Sequence, residues 1–259
     1  MRRDEMDSNF LKNVRSNDRL STKLIITDLF DEFFENHGDR VGEEDASITG
    51  GIGLFHNRPV TIIGINRGET LDERLIYNFG AVKPSGYRKA MRLLNEAEKF
   101  KRPVITLINM PGADASVKSE QTGQSYVISE MILKMGALKV PNIAIFLGEG
   151  QSGGALALAN ANAIMMVENS LFSVASPEAV NAILKKSNSN EIETSLPMTA
   201  SELFEIGLVD VVLPETNQAT TIGSMDKNLN ELIEKMAINS VDELIEQREM
   251  KYQTFLEKW

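Results

Sequence analysis

Apolar positions along the chain alternate between the period of a helix and that of a strand, which predicts repeating strand and helix units. Residues 1–20 are polar and weakly patterned. Apolar residues then recur at helical spacing from Ser21 until His37-Gly38, which predicts a first helix that ends there. Two β-rich runs at residues 47–54 and 59–66, separated by a short polar link, predict a hairpin.

The same order of elements returns further along the chain. Near-continuous apolar runs predict buried strands at residues 104–108, 142–147, 163–167, 171–174 and 208–213. Amphipathic or small-residue segments predict helices at residues 87–100, 124–138, 155–161, 177–184 and 199–206. Because strand-strand-helix units recur without an exact sequence repeat, we expect one mixed α/β domain spanning residues 21–215.

The character of the chain changes after residue 215. Residues 216–224 predict a polar linker, and Ser240-Val-Asp-Glu243 is a capping box that opens a helix toward residue 259. Tail helices with one apolar face need a neighbour, so we expect them to pack on the domain or on a partner subunit. The predicted division is a weakly structured N-terminal segment 1–20, a domain 21–215, and a tail 216–259.

The composition limits the chemistry that is available. The chain has no Cys, and His37 and His56 are its two imidazoles, so we expect no metal site, thiol nucleophile or His-dependent triad. With 27 Lys and Arg against 37 Asp and Glu, the net charge is −10, which opposes nucleic acid or an anionic membrane as the main partner. No signal peptide or long apolar window is found, so we expect a cytoplasmic protein.

Two turns that follow predicted strands carry the candidate chemistry. Asn109-Met-Pro-Gly-Ala-Asp-Ala115 follows one strand, and Gly148-Glu-Gly-Gln-Ser-Gly-Gly-Ala155 follows the next. Backbone N–H groups of such turns, if the turns face each other, can bind an oxyanion. The candidate binding residues are Gly112, Ala113, Gly150, Gln151, Ser152, Gly153 and Gly154. The alternative is that Gly153-Gly154 only allow a helix to pack tightly on a strand.

Basic residues on one predicted helix are further candidates. Arg88 and Lys89, with Arg92, could present a cationic face to the phosphate or carboxylate groups of a ligand. The alternative is that they are solvated residues on the exposed face of an amphipathic helix. His37, at the end of the first predicted helix, is equally compatible with a helix-dipole contact and with a ligand role.

Several short motifs occur in one order along residues 22–215. They are His37-Gly-Asp-Arg40, Gly50-Gly-Ile52, Asn78-Phe-Gly80, Gly86-Tyr-Arg-Lys-Ala90, Gly148-Glu-Gly150, Ser152-Gly-Gly-Ala155 and Ser176-Pro-Glu178. In these motifs the chain resembles the alpha subunits of acetyl-CoA carboxylase carboxyltransferase, which belong to the crotonase superfamily. The resemblance implies a crotonase-like (ClpP/crotonase) α/β spiral of strand-strand-helix units with C-terminal helices.

The resemblance also implies an activity. The family moves a carboxyl group from carboxybiotin, borne by a separate biotin carboxyl carrier protein, to acetyl-CoA, giving malonyl-CoA for fatty acid synthesis. Both reactants develop negative charge on an oxygen. For this chain the resemblance implies that the amides of Gly153 and Gly154 bind the ureido oxygen of biotin. The resemblance further implies that no cofactor is bound covalently, that a zinc-containing beta subunit is the partner, and that the complex is an alpha2beta2 heterotetramer.

The chain departs from the family pattern near these turns. Asn109-Met-Pro-Gly-Ala-Asp-Ala-Ser116 stands where the family has Asp-Thr-x-Gly-Ala-Tyr-Pro-Gly, and Gln151 replaces a glycine. Further changes occur at Gln121-Thr-Gly-Gln124, Tyr77-Asn-Phe-Gly80, Pro84-Ser-Gly-Tyr87 and Glu215-Thr-Asn-Gln-Ala-Thr220. One alternative is therefore a non-catalytic subunit that scaffolds or regulates the complex. Another is a crotonase-like hydratase or isomerase, against which Ala155-Leu-Ala-Leu-Ala159 offers no carboxylate.

Overall fold

The strands of this protein form a single mixed sheet. The computed structural model describes residues 8–16, 18–176, 178–179 and 197–258. Its strands are β1 (Asp31–Glu35), β2 (Ile48–Phe55), β3 (Arg58–Ile65), β4 (Val104–Met110), β5 (Asn142–Gln151), β6 (Ala163–Val167), β7 (Leu171–Ser173) and β8 (Val211–Leu213). The order in the sheet is β1-β2-β3-β4-β5-β6-β8, and β7 pairs with the end of β5. The pairs β1–β2 and β2–β3 are antiparallel, and the pairs from β3 to β8 are parallel.

The helices lie between these strands and after them. They are α1 (Ser8–Val14), α2 (Thr22–Leu29), α3 (Leu71–Ile76), α4 (Pro84–Phe100), α5 (Val117–Gln121), α6 (Gln124–Gly136), α7 (Ser152–Ala159), α8 (Ala200–Glu205), α9 (Gln218–Met236) and α10 (Val241–Lys258). The helix predicted at residues 177–184 lies almost wholly outside the described residues. Among the described residues, no helix is both long and apolar enough to cross a membrane.

The parallel strands are buried on both faces because helices cover the two sides of the sheet. In β4, Val104 and Ile108 join one core with α4, α6 and α7, while Ile105 and Leu107 join the other with α2 and α9. Alternate residues of a strand point to opposite faces, so a strand covered on both sides reads as a continuous apolar run. The predicted strands at 104–108, 142–147 and 163–167 are confirmed, as is the antiparallel hairpin.

The first predicted helix is shorter than its pattern suggested. Ser21 caps α2 by accepting a hydrogen bond from Leu24 N, but the helix ends at Leu29, and Phe33 and Phe34 belong to edge strand β1. The apolar residues of α2 and of β1 follow each other at spacings that together resemble one helical period. Residues 31–35 are nevertheless extended, because they pair with β2. The prediction that His37 ends a helix is therefore wrong, since it follows β1.

Residues 8–14 and 218–224 are helical, although their polarity predicted weak structure. Residues 8–14 form α1, and Val14 is fully buried. The predicted linker 216–224 instead contains the start of α9, where the Asn217 side chain accepts a hydrogen bond from Thr220 N. Thr221, Met225, Leu229 and Ile233 are buried at four-residue spacing, which places this helix on the domain core. The capping box at Ser240 and Glu243 is confirmed.

Candidate active site

The two turns meet at the carboxyl edge of the parallel strands. β4 and β5 are neighbours, and Met110 of the first turn is paired with Gly150 of the second. A methyl group built on Gly154 would lie 2.8 Å from Ala113 N, and one on Gly112 would lie 4.0 Å from the Gln151 carbonyl oxygen. The two turns are therefore close neighbours, which is the condition for a shared oxyanion site.

Helix α7 starts abruptly at the second turn. Gln151 is its N-cap in an extended conformation, and Ser152 has a φ of +62°, a left-handed value that is uncommon for a residue with a Cβ. In any α-helix the first N–H groups lack an intrahelical acceptor, and the helix dipole makes this end favourable for negative charge. The amides of Ser152, Gly153 and Gly154 occupy these positions, so this end of α7 is suited to stabilise an oxyanion.

The two glycines differ in their surroundings. A methyl group on Gly153 would meet Ile128 Cγ2 at 3.5 Å, an ordinary van der Waals distance. One on Gly154 would lie 2.7 Å from Tyr87 Oη, and the Gly154 carbonyl accepts a hydrogen bond from that hydroxyl at 3.1 Å. Burial raises the pKa of Tyr87 far above its ordinary value, so its hydroxyl stays a donor. Gly154 is therefore needed for packing, whereas a methyl group at Gly153 would make only an ordinary contact.

A buried carboxylate that the sequence pattern did not predict joins the same region. Glu149 is 1% exposed. Its Oε1 accepts hydrogen bonds from Arg15 Nε at 2.6 Å and Arg67 Nη2 at 3.0 Å, and its Oε2 accepts one from Gln151 Nε2 at 2.6 Å. The available signal was an acidic residue between two glycines at the end of an apolar strand. Arg15 lies in a segment without periodic pattern, so nothing in the sequence marked it.

Arg15 also ties a more distant residue to the site. Its Nη1 donates to Glu178 Oε1 at 2.6 Å and its Nη2 to Glu178 Oε2 at 3.2 Å. The hydrogen bond from Arg15 is the main reason that the pKa of Glu178 is below its ordinary value. The N-terminal segment therefore contributes a side chain to the candidate site.

Two cavities flank the start of α7. A polar cavity of about 650 Å³ is lined by Arg15, Arg67, Pro111, Glu149, Gln151 and Ser152, among others. A largely apolar pocket of about 340 Å³ is lined by Gly153, Leu156, Phe172, Tyr252 and Phe255, among others. Ser152 and Val174 line both cavities, so the free amides of α7 lie where a polar space and an apolar space adjoin.

Gly150 and Gln151 have structural partners. A methyl group on Gly150 would lie 2.2 Å from Phe146 Cε1, so the absence of a side chain serves core packing there. Gln151 is 3% exposed and its amide is held by Glu149. The glycine that the family has at position 151 would lack this hydrogen bond to Glu149.

The altered first turn is held by its own hydrogen bonds. Asp114 Oδ2 accepts hydrogen bonds from the hydroxyls of Ser116 at 2.7 Å and Ser119 at 2.5 Å. Burial raises the pKa of Asp114, but these hydroxyls and Asn78 outweigh burial, so that the pKa lies below its ordinary value. Gln124 Nε2 donates to the Asp114 carbonyl at 3.0 Å. The departures from the family pattern here form a consistent local structure.

Arg88 and Lys89 are engaged elsewhere. Lys89 is 1% exposed, and its Nζ donates to Glu44 Oε1 at 2.6 Å and to the Ile48 carbonyl at 3.1 Å. Arg88 Nε donates to Asp39 Oδ2 at 2.8 Å and lines a separate cavity of about 520 Å³. Lys89 is thus not the exposed residue that the helix pattern suggested, because loop residue Glu44 covers it. The structure does not bring either side chain into contact with the two turns.

The fold is shared with the solved structures of a transcarboxylase and of a malonate decarboxylase. Transcarboxylase 12S, in a structure with hydrolyzed methylmalonyl-coenzyme A bound, matches with a TM-score of 0.70 at 17% identity, covering 87% of this chain and 43% of that one. The Pseudomonas malonate decarboxylase MdcD–MdcE hetero-dimer matches with a TM-score of 0.65 at 17% identity, covering 85% of this chain and 93% of that one. These likenesses define the class: a crotonase-like fold of the kind found in carboxyltransferases.

Sequence comparison gives the family. A family model described as acetyl co-enzyme A carboxylase carboxyltransferase-like matches residues 6–256. The acetyl-coenzyme A carboxylase carboxyl transferase subunit alpha of Streptococcus pyogenes serotype M5 is 41% identical over 252 residues, which is 96% of this chain and 98% of that protein. The corresponding subunit of Streptococcus equi subsp. zooepidemicus is 42% identical over 249 residues, covering 95% of this chain and 97% of that protein. This chain belongs to the family of acetyl-CoA carboxylase carboxyltransferase alpha subunits.

Proposed function

We propose that this chain is the alpha half of an acetyl-CoA carboxylase carboxyltransferase. It moves the carboxyl group from carboxybiotin, borne by a separate carrier protein, to acetyl-CoA and so forms malonyl-CoA for fatty acid synthesis. The observation that carries the proposal is the start of α7, where amides without intrahelical acceptors face the first turn at the strand ends. Family membership over nearly the whole chain supports the same reaction.

The proposed role of the glycine turn follows from where charge appears. When carboxybiotin loses its carboxyl group, negative charge develops on the ureido oxygen, and the amides of Gly153 and Gly154 stabilise it. Donors fixed in a helix need no reorganisation during the reaction, so they favour the charged state over the neutral one. No imidazole or thiol is required, which agrees with the composition of the chain.

The chain works with a partner in this proposal. Relatives with this fold include subunits of hetero-oligomers, such as the MdcD–MdcE hetero-dimer. Helix α3 has no buried residue, and Leu71, Leu75 and Ile76 on it are 67%, 62% and 65% exposed. It begins a few residues after Arg67, next to the candidate site. We assign this apolar surface to a zinc-containing beta subunit in an alpha2beta2 heterotetramer, located in the cytoplasm.

The test is reconstitution of the transfer reaction. The chain is co-expressed with the beta-type subunit from the same genome and assayed for malonyl-CoA formation with carboxylated carrier protein. We expect product only when both subunits and the carrier are present. An assembled complex without transfer activity would favour the scaffolding alternative, and hydration of crotonyl-CoA by the purified chain would favour the hydratase alternative.

A further inference from the structure

The paired ends of β4 and β5 are not held by a regular backbone ladder. Ile108 is paired with Phe146 and Met110 with Gly150, so two steps along β4 correspond to four along β5. The additional residues of β5 include Glu149. Side chains therefore have to fix the relative position of the two turns that follow.

Asn109 and Arg67 bridge this irregular segment. Asn109 Oδ1 accepts hydrogen bonds from Glu149 N and from Arg67 Nη1, each at 3.2 Å. Arg67 Nη2 donates to the Glu149 carboxylate at 3.0 Å. One planar guanidinium thus spans both strand ends, a geometry that the single ammonium of a lysine cannot reproduce.

The Glu149 carboxylate extends this connection to the second turn. Gln151, which donates to Glu149 Oε2 at 2.6 Å, is the N-cap residue immediately before Ser152 and the Gly153 amide. Ser152 keeps a left-handed backbone conformation, which persists only where its surroundings fix it. A buried carboxylate is tolerated when donors satisfy both of its oxygens, and here they come from Arg15, Arg67 and Gln151.

We infer that Glu149 is a positioning residue, which holds the first-turn amides of α7 opposite the turn at Gly112-Ala113. This inference rests on the proposed function. The Glu149 carboxylate acts on the first turn through Arg67, which also donates to Asn109, and on the second turn through Gln151. This role does not require it to touch a substrate. It explains why a charged side chain is buried between two glycines at the end of an apolar strand.

The experiment compares two variants with a matched control in the assembled complex. Glu149→Gln removes the charge that holds both arginines, and Arg67→Lys keeps a cation but loses the bridge to Asn109. Glu98→Gln is the control, because the Glu98 carboxylate, like that of Glu149, is held by a cation and by a further donor. It accepts hydrogen bonds from Lys134 Nζ at 2.6 Å and from Lys139 N at 3.0 Å. It lies near the start of β5, at the opposite edge of the parallel strands.

We expect Glu149→Gln and Arg67→Lys to lower kcat per assembled complex at least tenfold while the KM for acetyl-CoA changes less than twofold. Hydrogen exchange should accelerate at residues 107–113 and 147–155, and Glu98→Gln should change neither property. A merely structural role would reduce the Tm or the yield of complex but leave kcat unchanged, and that result in both variants would overturn the inference. If the wild-type complex is inactive, the proposed function fails, and unchanged exchange at the two turns would separately refute the positioning role.

Discussion

Gly153 and Gly154 are adjacent and chemically identical, yet their surroundings predict different outcomes for the same substitution. Gly153→Ala adds a methyl group at ordinary contact distance from Ile128, at the wall of the apolar pocket. The fold should be retained, while the methyl group obstructs the approach of an oxyanion to the amide. We expect turnover of the reconstituted complex to fall about 10- to 100-fold, equivalent to about 1.4–2.7 kcal/mol.

Gly154→Ala serves as the contrasting variant. Its methyl group would collide with Tyr87 Oη and Ala113 N, so we expect loss of stability together with activity. Activity assays combined with thermal melts separate the two effects. Wild-type turnover in a stable Gly153→Ala complex would remove that amide from the mechanism.

Asp39 predicts a pH dependence of stability. Burial raises its pKa, but hydrogen bonds from the amides of Val41, Gly42 and Glu43 and from Arg88 outweigh burial and lower the pKa to about 2. The ordinary value is about 3.9, so the ionised form stabilises the fold above about pH 4, and this contribution is lost as the pH falls toward 2.

The matching variant is Asp39→Asn, which cannot ionise. Thermal melts between pH 6 and pH 2.5 should show a smaller decrease in Tm for the variant than for the wild type. Parallel curves for the two proteins would contradict the assignment of this pH dependence to Asp39.

At the scale of elements, Arg248 fastens the C-terminal helix α10 to the sheet. The side chain donates to the Gly136 carbonyl at 3.0 Å, to Asn142 Oδ1 and Asn162 Oδ1 at 2.9 Å each, and to the Leu138 carbonyl. It is 1% exposed, and burial lowers its pKa to about 10. It therefore caps the end of α6 and the starts of β5 and β6 together.

Arg248→Met fills similar volume but leaves buried acceptors without a donor, which costs about 1–3 kcal/mol for each unsatisfied group. We expect the midpoint of urea unfolding to decrease clearly, with little change in the slope. Lys227→Met, which removes an exposed cation on α9, should leave the midpoint nearly unchanged. Equal midpoints for the two variants would show that Arg248 does not fasten α10.

The elements differed in how well the sequence predicted them, for physical reasons. Strands buried on both faces, such as β4 and β6, gave near-continuous apolar runs and were placed within a few residues. Edge strand β1 was missed because its sequence does not alternate between apolar and polar residues. Phe34 is apolar although it is 70% exposed, and it directly follows Phe33. The start of α9 was missed because the buried positions there include Thr221, whose hydroxyl donates to the Pro214 carbonyl and so tolerates burial.

At the scale of the whole molecule, the meeting of the two turns was predictable and the charged network was not. Neighbouring parallel strands bring their carboxyl ends together, so two glycine-containing turns after them share an edge. Arg15 and Glu149 are separated by 134 residues, and ion pairs over such distances leave no periodic trace in the sequence. Lys89 was predicted to be exposed but is buried, because its partner Glu44 lies on a loop whose position the helix pattern does not predict.

The exposed aliphatic surface of α3 predicts a partner interface. Leu75→Glu places a charge on this surface, where Leu75 is 62% exposed, so the isolated chain should keep its Tm. We expect the affinity for the beta-type subunit to fall at least tenfold, about 1.4 kcal/mol, as measured by titration of the labelled chain.

Ile238→Glu is the matched control, since Ile238 is 86% exposed and lies between α9 and α10. It should leave the affinity unchanged. Equal affinities for Leu75→Glu and the wild type would place the interface on another surface.

The position of Arg248 has a consequence during protein synthesis. The ribosome completes β6 at Val167, and Arg248 is added about 80 residues later, roughly 4–16 s at 5–20 residues per second. During this interval the carbonyls of Gly136 and Leu138 have no guanidinium to bind, and water has to serve as their donor. Strands β1 to β6 can therefore be synthesised before Arg248 exists, and the hydrogen bonds that join α10 to the sheet form only near the end of translation.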